Sequence, residues 1–394
     1  MNAMTFDDHT SYPVSSTIPR DLANLMDVYC DATFFPLLRL ADFQQEGWRF
    51  EEDEIKGVVF NEMKNYQSDQ TRALFNAASS AFLKGTNYQF VSGGVPASIP
   101  RLRYEDLLEF HRTHYHPSNC LLYTYGDIHP SHHMRFLDSQ LLQRFHKEQK
   151  SKSIHVSTVP SAVLNATERS EFTAPPNADS NSQGWHYLRI VPTNLTTESE
   201  DTLKLQLLSM LLFRGQSSPF YKSMIESKKA QLFNPIQGYM AFSKNSFFGI
   251  GGSEIPLDVS EKEFEEMIQK TLEDVLRDGF EERRINGLLN ELELSIRQKV
   301  TRANCLLCLL CVEFGLSLMQ GVATAWTHNA DPTFCLLLKD QLQELREKGV
   351  NNVMKEMIRK YLLPANNRGV KTVIVKPDAH YFDKIVIALE MNKA

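Results

Sequence analysis

The chain has 394 residues, of which 42% are hydrophobic and 23% are charged, enough to bury substantial cores in two or three domains. A formal net charge of -6 and a pI near 6.1 exclude a surface that follows nucleic-acid phosphates, because such surfaces present clustered Lys and Arg. Six unevenly spaced cysteines do not form the pattern of a secreted disulfide framework and favour a reducing compartment.

Targeting and membrane signals are absent from the residues given. Residues 1–12 contain no apolar core of a signal peptide and no Arg-rich amphipathic stretch, so the start resembles the interior of a domain. The one apolar stretch long enough to be considered as a span, 305–326, carries Glu313 and Gln320 at mid-depth. A central acidic residue costs about 2.5 kcal/mol or more on insertion, so we expect a buried helix and no membrane span.

The first predicted block, 1–149, opens with extended segments and continues with helices. Apolar residues at helical spacing after Pro19 predict the first helix, and a Gly- and Pro-bearing surface loop falls at 92–96. The remaining predicted elements are extended segments at 2–6 and 11–15, helices at 56–66, 69–83, 103–114 and 130–145, and a strand at 119–125. This order predicts an α+β domain whose opening strands are missing.

A stretch rich in Ser, Thr, Asn and Pro, 150–184, is predicted to be an inter-domain linker. The second block, 185–381, repeats the element order of the first, and 382–394 is expected to begin a connector. Ser260 and Glu263 predict a capping box at the start of one of its helices. The predicted elements are strands at 185–191, 238–242, 247–252 and 371–376, and helices at 198–213, from 218, from 260 and within 281–348.

Histidines and cysteines are the first candidates for chemistry. His111 and His114 would share a helix face and could chelate zinc, but a closed site needs further ligands, and His at a helix C-terminus also binds the last carbonyls. The structural interpretation is therefore favoured, as it is for His129, His132 and His133. Cys305, Cys308 and Cys311 form a stripe without a nearby fourth ligand, which indicates buried core.

The strongest signal is a resemblance. The string KGVVFNEMK at 56–64 resembles the second zinc motif of the presequence proteases, a branch of the pitrilysin family of inverted zincins. The match runs from Met1 to about Tyr381. Further segments agree in order and spacing: NAMT at 2–5, DATFFP at 31–36, QEGWR at 45–49, VSGG at 91–94, HYHPSN at 114–119, SPFYK at 218–222, IES at 225–227 and GFE at 279–281.

The resemblance implies two pitrilysin-type α+β domains, each a mostly antiparallel sheet packed with helices, from the amino-terminal half of a zinc metalloendopeptidase. In the family, two His of His-x-x-Glu-His and a downstream Glu bind zinc, and the Glu between the His activates water. By position, Glu62 corresponds to the downstream Glu ligand. Local reasoning alone would make Glu62 a solvated helix residue. Asn2, Ala3 and Met4 correspond to the edge strand that adds the substrate as an extra strand.

The resemblance also sets expectations about activity and location. Expected partners are short unfolded peptides, including cleaved mitochondrial targeting peptides, and the carboxy-terminal half of the same protein, in the mitochondrial matrix. Because no His-x-x-Glu-His occurs in 1–394, this chain alone is expected to be an inactive fragment. The Cys305–Cys311 run is interpreted as an insertion. Two alternatives stay open: a non-catalytic peptide-binding or scaffold subunit, and a new zinc site built from His111, His114 and Glu62.

Overall fold

A computed structural model describes residues 2–145, 158–176, 184–196, 201–301, 314–333, 338–363 and 369–382. The chain divides into two compact units. The first unit comprises 1–66, 91–155 and 389–394, and the second comprises 67–90 and 156–388. Among the described residues, no helix combines the length and apolarity needed to cross a membrane.

Helices make up most of the regular structure in both units. The α-helices are α1 (Pro19–Phe34), α2 (Leu40–Glu46), α3 (Val58–Gln67), α4 (Gln70–Phe82), α5 (Tyr104–His114), α6 (Pro130–Phe136), α7 (Ser161–Asn165), α8 (Thr202–Phe213), α9 (Glu261–Asp278), α10 (Glu282–Thr301), α11 (Phe314–Thr327), α12 (Leu338–Lys348) and α13 (Val350–Met357). Short π-helical segments lie at Leu137–Leu141, Tyr221–Glu226 and Ile358–Leu362.

The strands form one large sheet and two small ones. They are β1 (Met4–Thr5), β2 (Thr10–Ser11), β3 (Arg49–Glu51), β4 (Glu54–Lys56), β5 (Glu168–Ala174), β6 (Trp185–Leu195), β7 (Leu232–Phe233), β8 (Gly238–Met240), β9 (Asn245–Ile255) and β10 (Lys371–Pro377). The first unit contains the antiparallel pairs β1–β2 and β3–β4. The second unit contains a sheet of order β5-β10-β6-β9-β7, in which β8 also pairs with β9.

The large sheet is mostly antiparallel, with one parallel pair, β5 and β10. Its central strands are buried on both faces, because side chains alternate between two apolar clusters. On one face, Leu188 and Val373 pack in a cluster with Leu74 and Phe82 of α4. On the other face lies a larger cluster with members from α8, α9, α10, α12 and α13. The expected α+β class is confirmed.

Helix ends follow the local sequence. The Asp69 side chain accepts a hydrogen bond from the Arg72 amide and caps α4, and the Ser260 side chain accepts one from the Glu263 amide and caps α9. The Glu263 carboxylate pairs with Lys229, so only one half of the predicted capping box forms. Gly279 ends α9 with φ +78°, a conformation that favours glycine.

Three sequence expectations meet a different structure. The strand predicted at 119–125 is wrong: 120–125 have no regular structure, and Leu121 is 64% exposed. The described part of the expected linker contains α7 and β5, and β5 joins the large sheet. The helix predicted at 69–83 forms as α4, but it packs in the second unit. The Cys305–Cys311 run and the expected connector from 383 onwards lie outside the described residues.

A buried ion network anchors the start of α8. The Asp201 carboxylate, whose side chain is 10% exposed, accepts hydrogen bonds from Lys360 at 2.6 Å, Tyr361 at 2.7 Å and Lys204 at 2.9 Å. Burial alone would raise the pKa of Asp201, but the hydrogen bonds from Lys360, Lys204 and Tyr361 outweigh it and lower the pKa to about 2. Asp201 therefore stabilises the second unit in its ionised form.

Replacing Asp201 with Asn should lower the free energy of unfolding at neutral pH by about 1 to 2 kcal/mol, a range that allows for solvent screening of the half-exposed Lys360. Since the folded pKa lies below the unfolded one, the contribution of Asp201 is complete above about pH 5 and is lost as the pH falls towards 2. Denaturant unfolding at several pH values should show the difference from the native chain shrinking in acid. The exposed Asp340→Asn serves as control, and a difference independent of pH would contradict the assignment.

Candidate functional site

Glu62 lies on the exposed side of α3 in the first unit. The opposite side of this helix is buried through Phe60 and Met63, which form an apolar cluster with Ile99. Trp48 and Ile55 pack against the same cluster. The sequence spacing fixes this orientation. Glu62 follows Phe60 by two residues and precedes Met63 by one, and at roughly 100° per residue this turns Glu62 away from the side that the other two share. Glu62 is therefore exposed to solvent, and the opposite side of its helix packs against the apolar cluster.

Two apolar side chains share the exposed side of α3 with Glu62. Val58 precedes Glu62 by four residues and Val59 by three, so both lie next to it on the helix surface. Val58 is 52% exposed and Val59 is 37% exposed. The carboxylate therefore projects from a partly apolar surface, whereas a purely solvated helix face would carry polar residues there.

A hairpin and a glycine loop hold α3 in place. At Gly57, immediately before α3, an added Cβ would lie 2.1 Å from the carbonyl oxygen of Gly47, so only glycine permits this approach of the two backbone segments. At Gly93 an added Cβ would lie 2.3 Å from Met63 Sδ. The loop at 92–94 therefore packs directly on the buried side of α3, at the residue next to Glu62.

Asn2, Ala3 and Met4 lie at and just before β1. Met4 pairs with Ser11 across the β1–β2 ladder, and Asn2 and Ala3 are exposed. The hydroxyl of Tyr29 donates a hydrogen bond of 3.3 Å to the carbonyl of Asn2. Among the described strands, β1 pairs with β2 alone, so no described strand occupies its second edge.

The turn that follows β1 contacts the same glycine loop. The Ser92 side chain forms a hydrogen bond with the Asp7 carboxyl. Desolvation raises the pKa of Asp7, and this effect together with the charge of Asp8 exceeds the lowering by Ser92. The loop at 92–94 therefore contacts both predicted site segments, the β1–β2 hairpin through Asp7 and α3 through Met63. The sequence predicts a surface loop here, and VSGG at 91–94 resembles the family, but it does not predict these contacts.

His111, His114 and His129 make structural contacts. His111 Nε2 lies 2.9 Å from the carbonyl oxygen of Thr33, and its ring stacks on Tyr115. His114 Nδ1 lies 3.0 Å from the Phe110 carbonyl oxygen within α5. His129 accepts a hydrogen bond from the Ser131 amide at the start of α6. No set of three or more His, Cys, Asp or Glu side chains among the described residues is placed to hold a metal ion. The alternative site of His111, His114 and Glu62 is therefore not assembled.

Truncating Met63 to Ala should loosen α3, because Met63 is only 6% exposed and the neighbouring loop at Gly93 packs on its sulfur. Removal of a buried Met side chain costs about 2 to 4 kcal/mol. Hydrogen–deuterium exchange of the amides at 58–67 should become faster. Met134→Ala is the matched control, because Met134 is 70% exposed, and its substitution should change exchange very little. Unchanged exchange in Met63→Ala would show that this contact does not hold α3.

Comparisons with known proteins identify relatives of the chain. The family model described as "Peptidase M16 inactive domain" matches residues 101–292. A mitochondrial presequence protease of Mus musculus is 35% identical over 407 residues, covering 98% of this chain and 37% of the relative. The mitochondrial presequence protease of Danio rerio is 32% identical over 405 residues, covering 100% of this chain and 38% of the relative.

The solved structures support the fold. A protease structure from Helicobacter pylori superposes with a TM-score of 0.67 at 14% identity, covering 91% of this chain and 77% of that one. At this identity the likeness concerns the fold alone. The chain spans about 37% of the length of the first curated relatives, whose names place them in mitochondria and support the expected mitochondrial location. Along nearly its whole length the chain is similar to the mitochondrial presequence proteases, and its residues 101–292 match a model of the M16 peptidase family.

Proposed function

We propose that this chain is part of a zinc metalloendopeptidase that degrades short unfolded peptides, including cleaved mitochondrial targeting peptides. The observation that carries the proposal is the 35% identity to a mitochondrial presequence protease across 98% of the chain. The loop at 92–94, which contacts both the β1–β2 hairpin and α3, is a second support. An enzyme of this class would hold its peptide and its metal on neighbouring elements.

Glu62 is proposed as one zinc ligand of the whole protein. Carboxylate oxygens are accepted zinc ligands, and the exposed position on α3 leaves the Glu62 side chain accessible. A tetrahedral zinc site needs three or four protein ligands, however, and the described residues place no such group together. The described residues alone therefore do not fit a zinc ion, and we assign no catalytic step to them.

Asn2, Ala3 and Met4 are proposed to bind the substrate backbone. An extended peptide that pairs with an open strand edge forms main-chain hydrogen bonds, which do not depend on side-chain identity. The open second edge of β1 and the exposure of Asn2 and Ala3 support this role. Such binding would select for extended, unfolded segments more than for a particular sequence.

A non-catalytic peptide-binding or scaffold role is the second candidate. It is favoured by the match of 101–292 to a family model described as an inactive domain. A subunit of this kind would bind peptides at the strand edge and would not bind zinc. Transcript sequencing discriminates the two, because an in-frame His-x-x-Glu-His in the same protein supports the peptidase and its absence supports the scaffold.

In the whole protein, Glu62→Gln should reduce both zinc content and peptide cleavage while the fold is retained, because the amide is a far weaker metal ligand and the side chain is exposed. Zinc would be quantified by mass spectrometry of the metal, and turnover by cleavage of a synthetic targeting peptide. Glu105→Gln, an exposed glutamate of α5, is the matched control. Normal zinc content and turnover in Glu62→Gln would reject the ligand assignment.

The 394-residue chain on its own should show no peptidase activity, because one carboxylate neither holds zinc nor activates water. Incubation with a fluorogenic targeting peptide and added zinc measures this directly. A sample of the whole protein treated in the same way controls for the quality of the peptide. Zinc-dependent cleavage by the isolated chain would contradict the expectation and would require a ligand set other than the one proposed.

A further inference from the structure

Strand β5 forms one edge of the large sheet in the second unit. It pairs in parallel with β10, and no other described strand pairs with it. The Glu168 amide donates to the Val370 carbonyl, and the Ala174 carbonyl accepts from the Asp378 amide, so the even-numbered residues direct their backbone groups towards β10. Backbone direction alternates along a strand, so Arg169, Glu171 and Thr173 direct their amide and carbonyl groups away from the sheet. These three residues are exposed.

A cavity of about 290 Å³ opens beside this edge. It lies on the face of β5 that carries the even-numbered side chains, between β5 and the end of α4. Its apolar wall contains Phe90 and Phe172, and polar groups stand at its margin. The residues that matter here are Ala81, Lys84, Phe90, Glu168, Ser170 and Phe172. A side chain from a neighbouring extended segment could enter this cavity without any change in the sheet.

The opposite face of β5 carries paired charges. Arg169 Nε lies 3.0 Å from Glu261 Oε2, and Lys376 Nζ lies 2.6 Å from Glu171 Oε1. Charges on an edge strand often discourage pairing with another chain. In β5 these ion pairs hold the charged groups over one face of the sheet. Arg169 and Glu171, which carry opposite charges, lie two residues apart on that face. An added strand with an acidic residue beside Arg169 and a basic residue beside Glu171 would be complementary to them.

We propose that the free edge of β5 binds an extended peptide in which apolar and charged residues alternate, with an apolar side chain in the cavity lined by Phe90 and Phe172 and the charged side chains beside Arg169 and Glu171. This site goes beyond the proposed peptidase function, because binding there requires neither zinc nor cleavage. The bound peptide becomes a further strand of the sheet, and the cavity selects one apolar position in it. Specificity comes from the alternation of side chains and affinity from the outward backbone groups.

The test measures binding of a fluorescein-labelled peptide, Lys-Val-Glu-Phe-Lys-Val-Glu, to the full 394-residue chain by fluorescence anisotropy without zinc. Thr173→Pro removes one outward amide and leaves the ladder to β10 intact, because proline is tolerated at an edge strand where its nitrogen faces solvent. It should weaken binding by about tenfold, whereas Thr173→Ala, which keeps the amide, should bind like the native chain. Equal binding by Thr173→Pro and Thr173→Ala would overturn the proposal.

A second pair of variants tests the cavity. Ser170→Trp should fill the cavity and weaken binding, and Ser170→Thr is the control that leaves most of it open. Methylation of alternate backbone amides of the peptide should abolish binding without any change to the protein, which separates loss of the site from loss of folding. No binding of the unmethylated peptide to the native chain overturns the proposal. A concentration-dependent dimer of the native chain that is lost in Thr173→Pro would also overturn the proposal, because the edge of β5 would then pair with a second copy of the chain.

Discussion

The second unit depends on the burial of β6, β9 and β10 on both faces. Strands of this kind are stable only when a helical layer covers each face. One layer comes from α8, α9 and α13 and includes the larger apolar cluster, and the other comes from α4 with Leu74 and Phe82. The second layer explains why 67–90 belong with the sheet rather than with the segments that flank them in sequence. The Arg284 guanidinium strengthens the first layer by donating to the last carbonyls of α8, including those of Met210 and Leu211.

The described part of the first unit has a much smaller buried apolar cluster than the second unit. Its helices α1 and α5 contain no fully buried residue, and its buried apolar cluster consists of Phe60, Met63 and Ile99. So small a cluster contributes little hydrophobic stabilisation, since the effect is roughly proportional to buried area. The position of α3 therefore depends on a few specific contacts, above all the close approaches at Gly57 and Gly93. These contacts position the helix whose exposed side carries Glu62, the proposed zinc ligand.

Periodicity predicted most of the helices but not where they pack. The capping signal at Ser260 located the start of α9, and the helix predicted at 69–83 forms as α4, because such signals are local. An apolar stripe identifies the buried face of α4 but not its partner, so its place on the large sheet could not be deduced. The strand predicted at 119–125 failed because apolar content does not supply a pairing partner. The contacts of Asp7 with Ser92 and of Met63 with Gly93 span long sequence separations, and no local pattern encodes such contacts. Glu62 was identified by resemblance, and its exposure agrees equally with a solvated residue and with an accessible ligand.

The surroundings of Glu62 decide what an exposed carboxylate can do. In water its charge is screened, and its attraction to a cation is weak. Val58 and Val59 lie beside it and are themselves exposed, so a polypeptide packed on this side of α3 would bury apolar surface and exclude water from the carboxylate in the same step. Exclusion of water lowers the local dielectric constant and strengthens every charge interaction that remains. For the zinc-ligand role proposed for Glu62, these apolar neighbours imply that a metal would be held tightly only where its other ligands and the covering surface arrive together.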